Sequence, residues 1–287
     1  MKTVANALTF DVEDYYQVSG FEKYIDRDDW GKYESRVKNN TNKILNILDN
    51  NNVKATFFVL GMVAERDPSI VKDIYEAGHE VACHGYSHKL IYNQTPSEFE
   101  YETSKSKDLL ESVINHDVYG YRAASYSITK KSLWALDIIE KLGFKYDSSI
   151  FPIYHDRYGI KDFSRSIRQI SYDGKEMDLI EFPITSVKFS KLNIPASGGG
   201  YFRLYPYSVS KFLLKRFIKA EKQPFMFYLH PWEFDPQQPE IQGLNWFTKF
   251  RHYNNIEKCG QRLSSLIQDF SFTRVDHVLQ SMNLLKN

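Results

Sequence analysis

Two histidines, His84 and His88, stand four residues apart in the segment HGYSH, and an acidic run, DVED, begins at Asp11 after an apolar stretch. Two imidazoles and a carboxylate provide three ligands for a divalent cation and leave coordination positions open for water and substrate. An open set of this kind is typical of a catalytic metal site, because structural sites fill every position with protein atoms. The pattern therefore predicts metal-assisted hydrolysis.

Both motifs follow segments that have the composition of β-strands, and this placement gives them weight. On spacing alone, two of eight histidines can fall four apart by chance, and an acidic run can be a solvated turn. Residues 7–11 (ALTFD) and 80–84 (EVACH) are apolar and rich in strand-forming residues, so both polar motifs fall where strands end. Catalytic groups gather at that edge of α/β sheets and barrels, so we expect one shared site.

The elements that must position these residues alternate between strand-like and helix-like segments along most of the chain. Between residues 151 and 207 the pattern is irregular, with extended pieces such as 177–184 and a glycine run at 198–200. The alternation predicts a parallel sheet with helices on its faces, closed or nearly closed into a barrel. Strands are expected at residues 7–11, 54–60, 80–84, 119–122, 144–148 and 224–230, and helices at 41–50, 68–77, 95–115, 130–142, 208–220 and 255–268.

Length and composition limit the possible classes of protein. The 287 residues, 42% hydrophobic and 15% aromatic, can bury a large core as two domains or as one barrel, and we favour a single α/β domain over residues 1–287. A net charge of +1 gives no electrostatic footprint for nucleic acid or a membrane surface. The sequence shows no signal-peptide core of about 7–15 apolar residues and no transmembrane stretch of about 20, so we expect a cytoplasmic protein.

Five segments, in a fixed order along the chain, carry a resemblance to a known family. They are TFDVED (9–14), HGYSH (84–88), YRAASY (121–126), DSSIFP (147–152) and LHPWE (229–233). With these segments the chain resembles the polysaccharide deacetylases, the carbohydrate esterases of family 4 that share a chitooligosaccharide-deacetylase-like domain. It is most similar to the branch associated with bacterial exopolysaccharide and surface-glycan assembly, of which HDRYG (155–159) and SGGGYFR (197–203) also look typical.

This resemblance implies a fold, a reaction and a cofactor. The fold is an irregular (β/α) barrel with fewer than eight complete units, which agrees with the alternation of elements. The reaction is hydrolysis of an N-acetyl group on an amino sugar in a glycan, an oligosaccharide or a lipid-linked sugar, with release of acetate. The cofactor is a divalent metal ion, with Zn²⁺ as the default, and the same nitrogen and oxygen ligands also suit Co²⁺, Ni²⁺, Fe²⁺ or Mn²⁺.

The resemblance assigns His84 and His88 to the metal, and the strand pattern proposes the acid that completes the set. Many family members have two adjacent aspartates where this chain has Asp11 and a valine. A side chain two residues further on returns to the same face of a strand, so Glu13 is our preferred ligand if the strand persists. Asp14 is the alternative if the chain turns first.

Four further residues match catalytic positions of the family. Asp11 matches the general base that takes a proton from the attacking water, and Arg122 matches the arginine that holds this base. His230 matches the general acid that protonates the departing amine. Asp147 is our candidate to orient His230, as a carboxylate orients histidine in other hydrolytic sites.

Candidate substrate contacts surround these positions. The backbone N–H of Ser125 is the proposed oxyanion donor, although Ala124 stands where the family usually has a proline, which leaves the rigidity of this loop open. Aromatic faces can stack on sugar rings, and a nearby arginine can bind sugar oxygens. The candidates for these contacts are Tyr126, Tyr201, Trp232 and Arg203.

Two other functions are compatible with parts of this pattern. An allantoinase-like hydrolase of cyclic amides shares the fold, but such relatives can lack the metal, so the metal-ligand set argues against that function. A catalytically inactive glycan-binding protein could also keep the barrel. The retention of base, ligands, arginine and general acid argues against this second alternative, whereas Ala124 and the altered acidic motif keep it open.

Overall fold

The strand β1, Asn6–Val12, is central to the fold, and every one of its residues is buried. It pairs in parallel with β2, Thr56–Val59, on one side and with β10, Met226–Leu229, on the other. A strand that is paired on both edges and covered on both faces takes an almost continuous run of apolar residues, which explains the composition of this segment. The N-terminal segment is thereby held between an early and a late part of the chain.

A computed structural model describes residues 5–155, 157–190 and 192–285. Asp156, in the HDRYG motif, therefore lies outside the described residues, as do the two ends of the expected domain 1–287. Besides β1, β2 and β10, the strands are β3 Glu80–Cys83, β4 Gly120–Tyr121, β5 Tyr146–Asp147, β6 Arg168–Tyr172, β7 Lys175–Glu181, β8 Ser186–Phe189, β9 Leu192–Pro195 and β11 Phe272–Thr273.

Nine of these strands form one curled sheet in the order β10-β1-β2-β3-β4-β5-β7-β6, with β11 attached to β1. All pairs are parallel except β6 with β7, which form an antiparallel edge. The strands β8 and β9 make a separate antiparallel hairpin. The expected irregular (β/α) barrel is confirmed, and it is a curled half-barrel whose edge strands β10 and β6 are not paired with each other in the described part of the chain.

Ten α-helices accompany the sheet in the described part of the chain. Helix α4 begins as its sequence predicts: Thr95 Oγ1 accepts a hydrogen bond from the Glu98 backbone, and Glu98 Oε2 accepts one from the Thr95 backbone. None of the described helices has the length and hydropathy that crossing a bilayer requires. The helices are α1 Val37–Asn50, α2 Gly61–Arg66, α3 Pro68–Glu76, α4 Pro96–Ile114, α5 Ala135–Lys141, α6 Gly199–Leu204, α7 Tyr207–Glu221, α8 Trp246–Tyr253, α9 Cys259–Asp269 and α10 Val275–Ser281.

The alternation of side chains along β1 and β2 divides the core into two clusters. Leu8, Phe10 and Phe57 belong to the large cluster between the sheet and the helices, whereas Ala7 and Phe58 belong to a smaller inner cluster. Successive side chains of a strand point to opposite faces. Asp11 therefore shares the inner face with Ala7, at the carboxyl end of β1.

The expected elements are all present, with differences at boundaries and in the irregular region. The helix expected at 130–142 spans only Ala135–Lys141, because Ser132 and Thr129 form a hydrogen-bonded turn before it. The glycine run at 198–200, expected as irregular chain, leads directly into helix α6. Helices α2, α6, α8 and α10 were not among the expected helices.

Candidate active site

Glu13, His84 and His88 lie together at the carboxyl ends of β1 and β3. One ligand atom from each of the three lies within 4.8 Å of the others, and all three residues are buried. Strand β1 ends at Val12, and the backbone N–H of Glu13 bonds back to Asp11 O, so a tight turn brings Glu13 to the cluster. The preferred acid is thus beside the histidines, although the local geometry is a turn and not a continued strand.

The protonation of these groups fits a bound cation. His84 Nδ1 lies 2.9 Å from the carbonyl oxygen of Arg122, so the proton of the neutral ring is on Nδ1. The unprotonated nitrogen Nε2 is then available as a metal ligand. Burial lowers the pKa of His84 to about 4, so the ring is neutral at neutral pH. Burial raises the pKa of Glu13, but its interactions with His88 and then with His230 outweigh burial and hold the pKa well below its usual value.

The buried oxygen Oε2 of Glu13 has no properly aligned hydrogen-bond donor among the described residues, although it lies 2.8 Å from His88 Nε2. His88 Nδ1 is likewise buried without a hydrogen-bond partner in the described chain. Buried polar atoms normally find partners, so atoms left in this state mark a place for an ion or water. Two imidazoles and an ionised carboxylate are ligands that suit a divalent cation such as Zn²⁺.

Trp232 fixes the orientation of the Glu13 carboxylate. Its Nε1 donates a hydrogen bond of 3.1 Å to Glu13 Oε1, which leaves Oε2 turned toward the histidines. The indole is stacked between two imidazole rings, at 5.1 Å from His230 and 4.2 Å from His252. Trp232 was predicted as a substrate contact, and the structure shows it as a buried support for the acidic ligand candidate.

Asp14, the alternative ligand, is not brought to this cluster. Its Oδ2 accepts hydrogen bonds from Ser35 Oγ at 2.8 Å and from the backbone N–H groups of Arg36 and Val37. These are the free donors at the start of helix α1, and a carboxylate there satisfies them and complements the helix dipole. Asp14 therefore holds the start of a helix, and Glu13 remains as the acid near the imidazoles.

Asp11 lies beside the cluster and is held by Arg122. Arg122 Nη1 donates to Asp11 Oδ1 at 2.5 Å, and the guanidinium also donates to Thr9 Oγ1 and to the Ser148 carbonyl. Arg122 is fully buried, and its guanidinium carbon lies 3.9 Å from the centre of the Phe58 ring. With Oδ1 occupied, Oδ2 is the oxygen of Asp11 that faces Tyr126 and His230.

His230 faces the two carboxylates from β10. Its Nε2 lies 3.9 Å from Asp11 Oδ2 and 3.7 Å from Glu13 Oε1. Its Nδ1 lies 3.1 Å from Glu233 Oε2, an oxygen that also accepts the backbone N–H of His230. Burial lowers the pKa of His230, but the hydrogen bond to Glu233 and the nearby negative charges outweigh burial and raise the pKa to about 9.

Glu233 is the functional residue that sequence reasoning missed. It is fully buried, and Arg203 Nε donates to its Oε1 at 2.8 Å. Burial raises the pKa of Glu233, but Arg203 and His230 outweigh it and lower the pKa to about 2. The HPWE spacing contained the signal, because a glutamate three residues after the first residue of a helical turn forms a capping box.

Arg203, predicted as a substrate contact, is committed to the protein. Besides Glu233 it donates to the carbonyl groups of His252, Asn254 and Arg251. Its residue is 1% exposed, so it supports Glu233 and the end of helix α8 and has little surface left for a ligand.

Asp147 does not orient His230. Its Oδ1 accepts a 2.5 Å hydrogen bond from Ser149 Oγ, and its carboxyl is hydrogen-bonded to Glu181. Burial raises the pKa of both acids, that of Glu181 the more strongly, so the pair holds a proton. The expected role of Asp147 is corrected: its carboxyl is bonded to Ser149, whereas Glu233, three residues after His230, lies 3.1 Å from His230 Nδ1.

The loop that contains Ser125 is tied in place without the family proline. The backbone of Ala123 donates to Ser149 Oγ at 2.8 Å, and Ser125 Oγ lies 2.7 Å from Ser19 Oγ. Ser125 and Tyr126 have φ values of 49° and 55°, a left-handed conformation that is rare for residues other than glycine. Such a conformation persists only where surrounding contacts impose it, and the bonds to Ser149 and Ser19 are contacts of this kind.

These groups line a single cavity of about 380 Å³. A volume of this size lies within the usual range for small-molecule sites, about 300–1,000 Å³. Asp11, Glu13 and His230 line it, as does Tyr201 of the predicted aromatic contacts. Other site residues that line it are Ser125, Tyr126, Trp232, Glu233, Arg203, His84 and His88.

Comparison with known families agrees with this arrangement. Residues 6–146 match the family model described as polysaccharide deacetylase, and residues 148–280 match a domain of unknown function, DUF3473. Through its residues 6–146 the chain belongs to the polysaccharide deacetylase family. The DUF3473 region supplies His230, Glu233 and Trp232 to the site.

Two curated relatives are similar over part of their length. A peptidoglycan-N-acetylglucosamine deacetylase of Bacillus cereus is 31% identical over 120 residues, which are 38% of this chain and 44% of the relative. A peptidoglycan deacetylase of Helicobacter pylori is 29% identical over 159 residues, which are 54% of this chain and 52% of the relative. The chain thus spans about half the length of the curated relatives that it matches.

Solved structures share the fold. A structure described as a putative polysaccharide deacetylase from Mycobacterium smegmatis has a TM-score of 0.63 and 18% identity, and covers 99% of this chain and 92% of its own. A family 4 carbohydrate esterase pseudoenzyme from Bacillus anthracis has a TM-score of 0.50 and 15% identity, and covers 97% and 66%. At these identities the likeness establishes the barrel and nothing about activity.

Proposed function

We propose that the chain is a metal-dependent deacetylase that removes the N-acetyl group of an amino sugar in a glycan or glycan precursor. The observation that carries this proposal is the meeting of three groups in one cavity: the Glu13, His84 and His88 cluster, an arginine-held Asp11, and His230 on the far side. Deacetylation needs a cation site, a base and an acid within reach of one amide, and the cavity offers all three.

A divalent cation bound by Glu13, His84 and His88, with Zn²⁺ as our first candidate, would supply Lewis acidity toward the acetamide carbonyl and the attacking water. Asp11 takes the proton from that water through Oδ2, because Arg122 occupies Oδ1 and fixes the side-chain rotamer. Tyr126, whose hydroxyl lies 3.4 Å from Asp11 Oδ2, closes the opposite side of the base.

His230 delivers a proton to the departing amine from Nε2. Glu233 keeps the other ring nitrogen, Nδ1, protonated and stabilises the charged imidazolium. With its pKa raised to about 9, His230 is a proton donor at neutral pH. The backbone N–H of Ser125 remains our proposed donor to the oxyanion. A hydrogen bond between the hydroxyls of Ser125 and Ser19 helps to position this N–H.

We also propose that residues 1–287 act as one catalytic domain. The proposal is supported by contacts between the two regions that match different family models, residues 6–146 and 148–280. Strand β1 pairs with β10, Trp232 binds Glu13, and His230 faces Asp11. Neither region alone contains the base, the ligand set and the acid.

The test is acetate release from N-acetylated oligosaccharides by the full chain, with the metal content measured in parallel. Removal of metal by a chelator should abolish activity, and Zn²⁺ should restore it. Asp11→Asn should bind metal normally and lower kcat by about 10²–10⁴-fold, the range for general base catalysis. If the metal-loaded protein released no acetate from a broad panel, the proposal would be wrong.

Glu13→Gln and Asp14→Asn form a matched pair for the acidic ligand. Glu13→Gln should lose tight metal binding while its fold, followed by circular dichroism, is kept. Asp14→Asn should bind metal in full and unfold at lower urea concentration, because Asp14 holds the start of helix α1. Metal loss in Asp14→Asn alone would assign the ligand to Asp14.

A further inference from the structure

The outer wall of the cavity carries two arginines, Arg157 and Arg251, that the proposed reaction does not use. Neither guanidinium forms an ion pair with a carboxylate of residues 5–155, 157–190 or 192–285. Some other arginines are ion-paired among the described residues, for example Arg165 with Glu221 and Arg274 with Asp276, whereas Arg66, Arg168, Arg216 and Arg262 are not, and none of these six lines the cavity. Arg157 and Arg251 are therefore the arginines of this cavity that have no carboxylate partner in the described part of the chain.

The charges at the floor of the cavity do not neutralise them. The Asp11 carboxylate is paired with Arg122 at 2.5 Å, and that of Glu233 with Arg203 at 2.8 Å. Glu13 faces the imidazole of His88. Asp11 and Glu233 thus have guanidinium partners of their own, which leaves Arg157 and Arg251 available to attract an entering anion.

Both arginines act on the same part of the wall. Burial and the nearby Tyr201 raise the pKa of Tyr158, and the charges of Arg251 and Arg157 both oppose that rise. The two guanidinium groups therefore lie near one pair of phenols. Arg251 is also placed over the Phe247 ring, with its guanidinium carbon 5.6 Å from the ring centre, which orients the cation without neutralising it.

We propose that the cavity binds an acetamido sugar whose neighbouring unit carries a negative charge, and that Arg157 and Arg251 hold that charge. This inference rests on the proposed function for the position of the acetamido group at Glu13, His84 and His88. The anionic group is a carboxylate or a phosphoryl group, since both match the planar fork of a guanidinium. Phe247 and Tyr201 offer apolar faces for the sugar ring between the two ends.

Binding to the full chain in a chelating buffer tests the inference separately from catalysis. Titration calorimetry would compare three probes: chitotetraose, which is neutral, a hyaluronan tetrasaccharide, which carries uronates, and uridine-diphosphate N-acetylglucosamine. We expect at least one anionic probe to bind about tenfold to a hundredfold more tightly than chitotetraose, as a charge-assisted contact provides. The stronger of the two identifies the source of the charge.

Arg157→Gln and Arg251→Gln should each remove most of this preference and leave the affinity for chitotetraose within about threefold. Arg168→Gln, at an exposed arginine of β6 outside the cavity, is the matched control and should keep the wild-type preference. Equal affinities for the three probes, or a preference that survives both cavity substitutions, would overturn the inference.

The two proposals fail in different ways. If the preference for an anionic probe is present but no N-acetylated substrate yields acetate, the anion site stands and the deacetylase function is wrong. If chitotetraose is deacetylated with the same kcat/KM as the acidic substrates, the function stands and the anion site is wrong.

Discussion

The indole nitrogen of Trp232 and the carboxylate oxygen Oε1 of Glu13 are joined by a hydrogen bond of 3.1 Å across 219 residues of sequence. The bond leaves Glu13 one free oxygen, Oε2, and turns it toward His84 and His88. The acidic member of the candidate metal site is therefore oriented by the region of the chain that also provides His230.

Trp232→Phe tests this relationship. The substitution keeps an aromatic ring between His230 and His252 but removes the N–H, so Glu13 loses its fixed orientation. We expect metal affinity to fall by about 10–100-fold, the usual effect of removing a residue that holds a ligand. Competition with a fluorescent chelator measures this loss. Trp246→Phe, at an exposed tryptophan stacked on Phe250, is the control, and equal losses in the two variants would contradict the role of Trp232.

Glu233→Gln tests which acid supports His230. A glutamine removes the negative charge beside Nδ1, so the imidazolium is less stable and the proton donor is weaker. We expect kcat to fall by about 10²-fold or more with little change in KM. Asp147→Asn should lower kcat far less, since Asp147 contacts Ser149 and Glu181. A larger loss in Asp147→Asn than in Glu233→Gln would restore the role first expected for Asp147.

Gly199→Ala and Gly200→Ala are matched substitutions at neighbouring positions that differ in the room available for a Cβ atom. A Cβ on Gly199 would lie 1.8 Å from Glu233 Oε2, whereas one on Gly200 meets nothing within 4 Å. We expect Gly199→Ala to lower the free energy of unfolding by about 1–3 kcal/mol and to reduce activity by displacing Glu233. Gly200→Ala should be neutral or stabilising by up to about 1 kcal/mol, because alanine favours the helix. Urea denaturation measures both, and equal destabilisation would be inconsistent with the contact.

The stability of the protein should fall in mild acid because of His79. This histidine is 1% exposed, its Nδ1 accepts the Ala55 backbone N–H, and burial lowers its pKa to about 4. The unfolded chain takes up the proton near pH 6.5 and the folded chain only near pH 4, so the stability present above pH 6.5 is lost as the pH falls toward 4.

His79→Asn isolates this contribution, because asparagine can present an oxygen to the same N–H without binding a proton. We expect the free energy of unfolding of the wild type to decrease between pH 6.5 and 4 by up to about 3 kcal/mol more than that of the variant. Urea titrations at several pH values provide the comparison. Parallel curves over this range would show that His79 does not control acid stability.

Much of the site could be predicted because its residues follow strands with strong patterns. Asp11, His84, Arg122 and His230 all come directly at the end of, or after, short buried strands, and parallel strands bring such positions to one edge. The barrel was predictable for the same reason, since the alternation of strands and helices determines it.

The rest depends on contacts that no local pattern encodes. The turn of the chain after β1 determines whether Glu13 or Asp14 approaches the histidines. Asp14 is held away from them by the free N–H groups at the start of helix α1, which come more than twenty residues later in the sequence. Arg203 and Trp232 have side chains that suit sugars, yet their partners are Glu233 and Glu13. Both residues line the cavity, so their predicted contact with a substrate stays a prediction, but the internal carboxylates that their side chains bind are not visible in the composition.

The pairing of Ala7 with Met226 in the parallel register of β1 and β10 has a consequence for how the protein is made. Strand β1 leaves the ribosome more than two hundred residues before β10, so one of its edges stays uncovered while that length of chain is synthesised. During that interval an apolar strand with unpaired backbone groups is open to other chains, which is the condition that favours aggregation and chaperone binding. Catalytic competence should therefore be among the last properties that the newly made chain acquires.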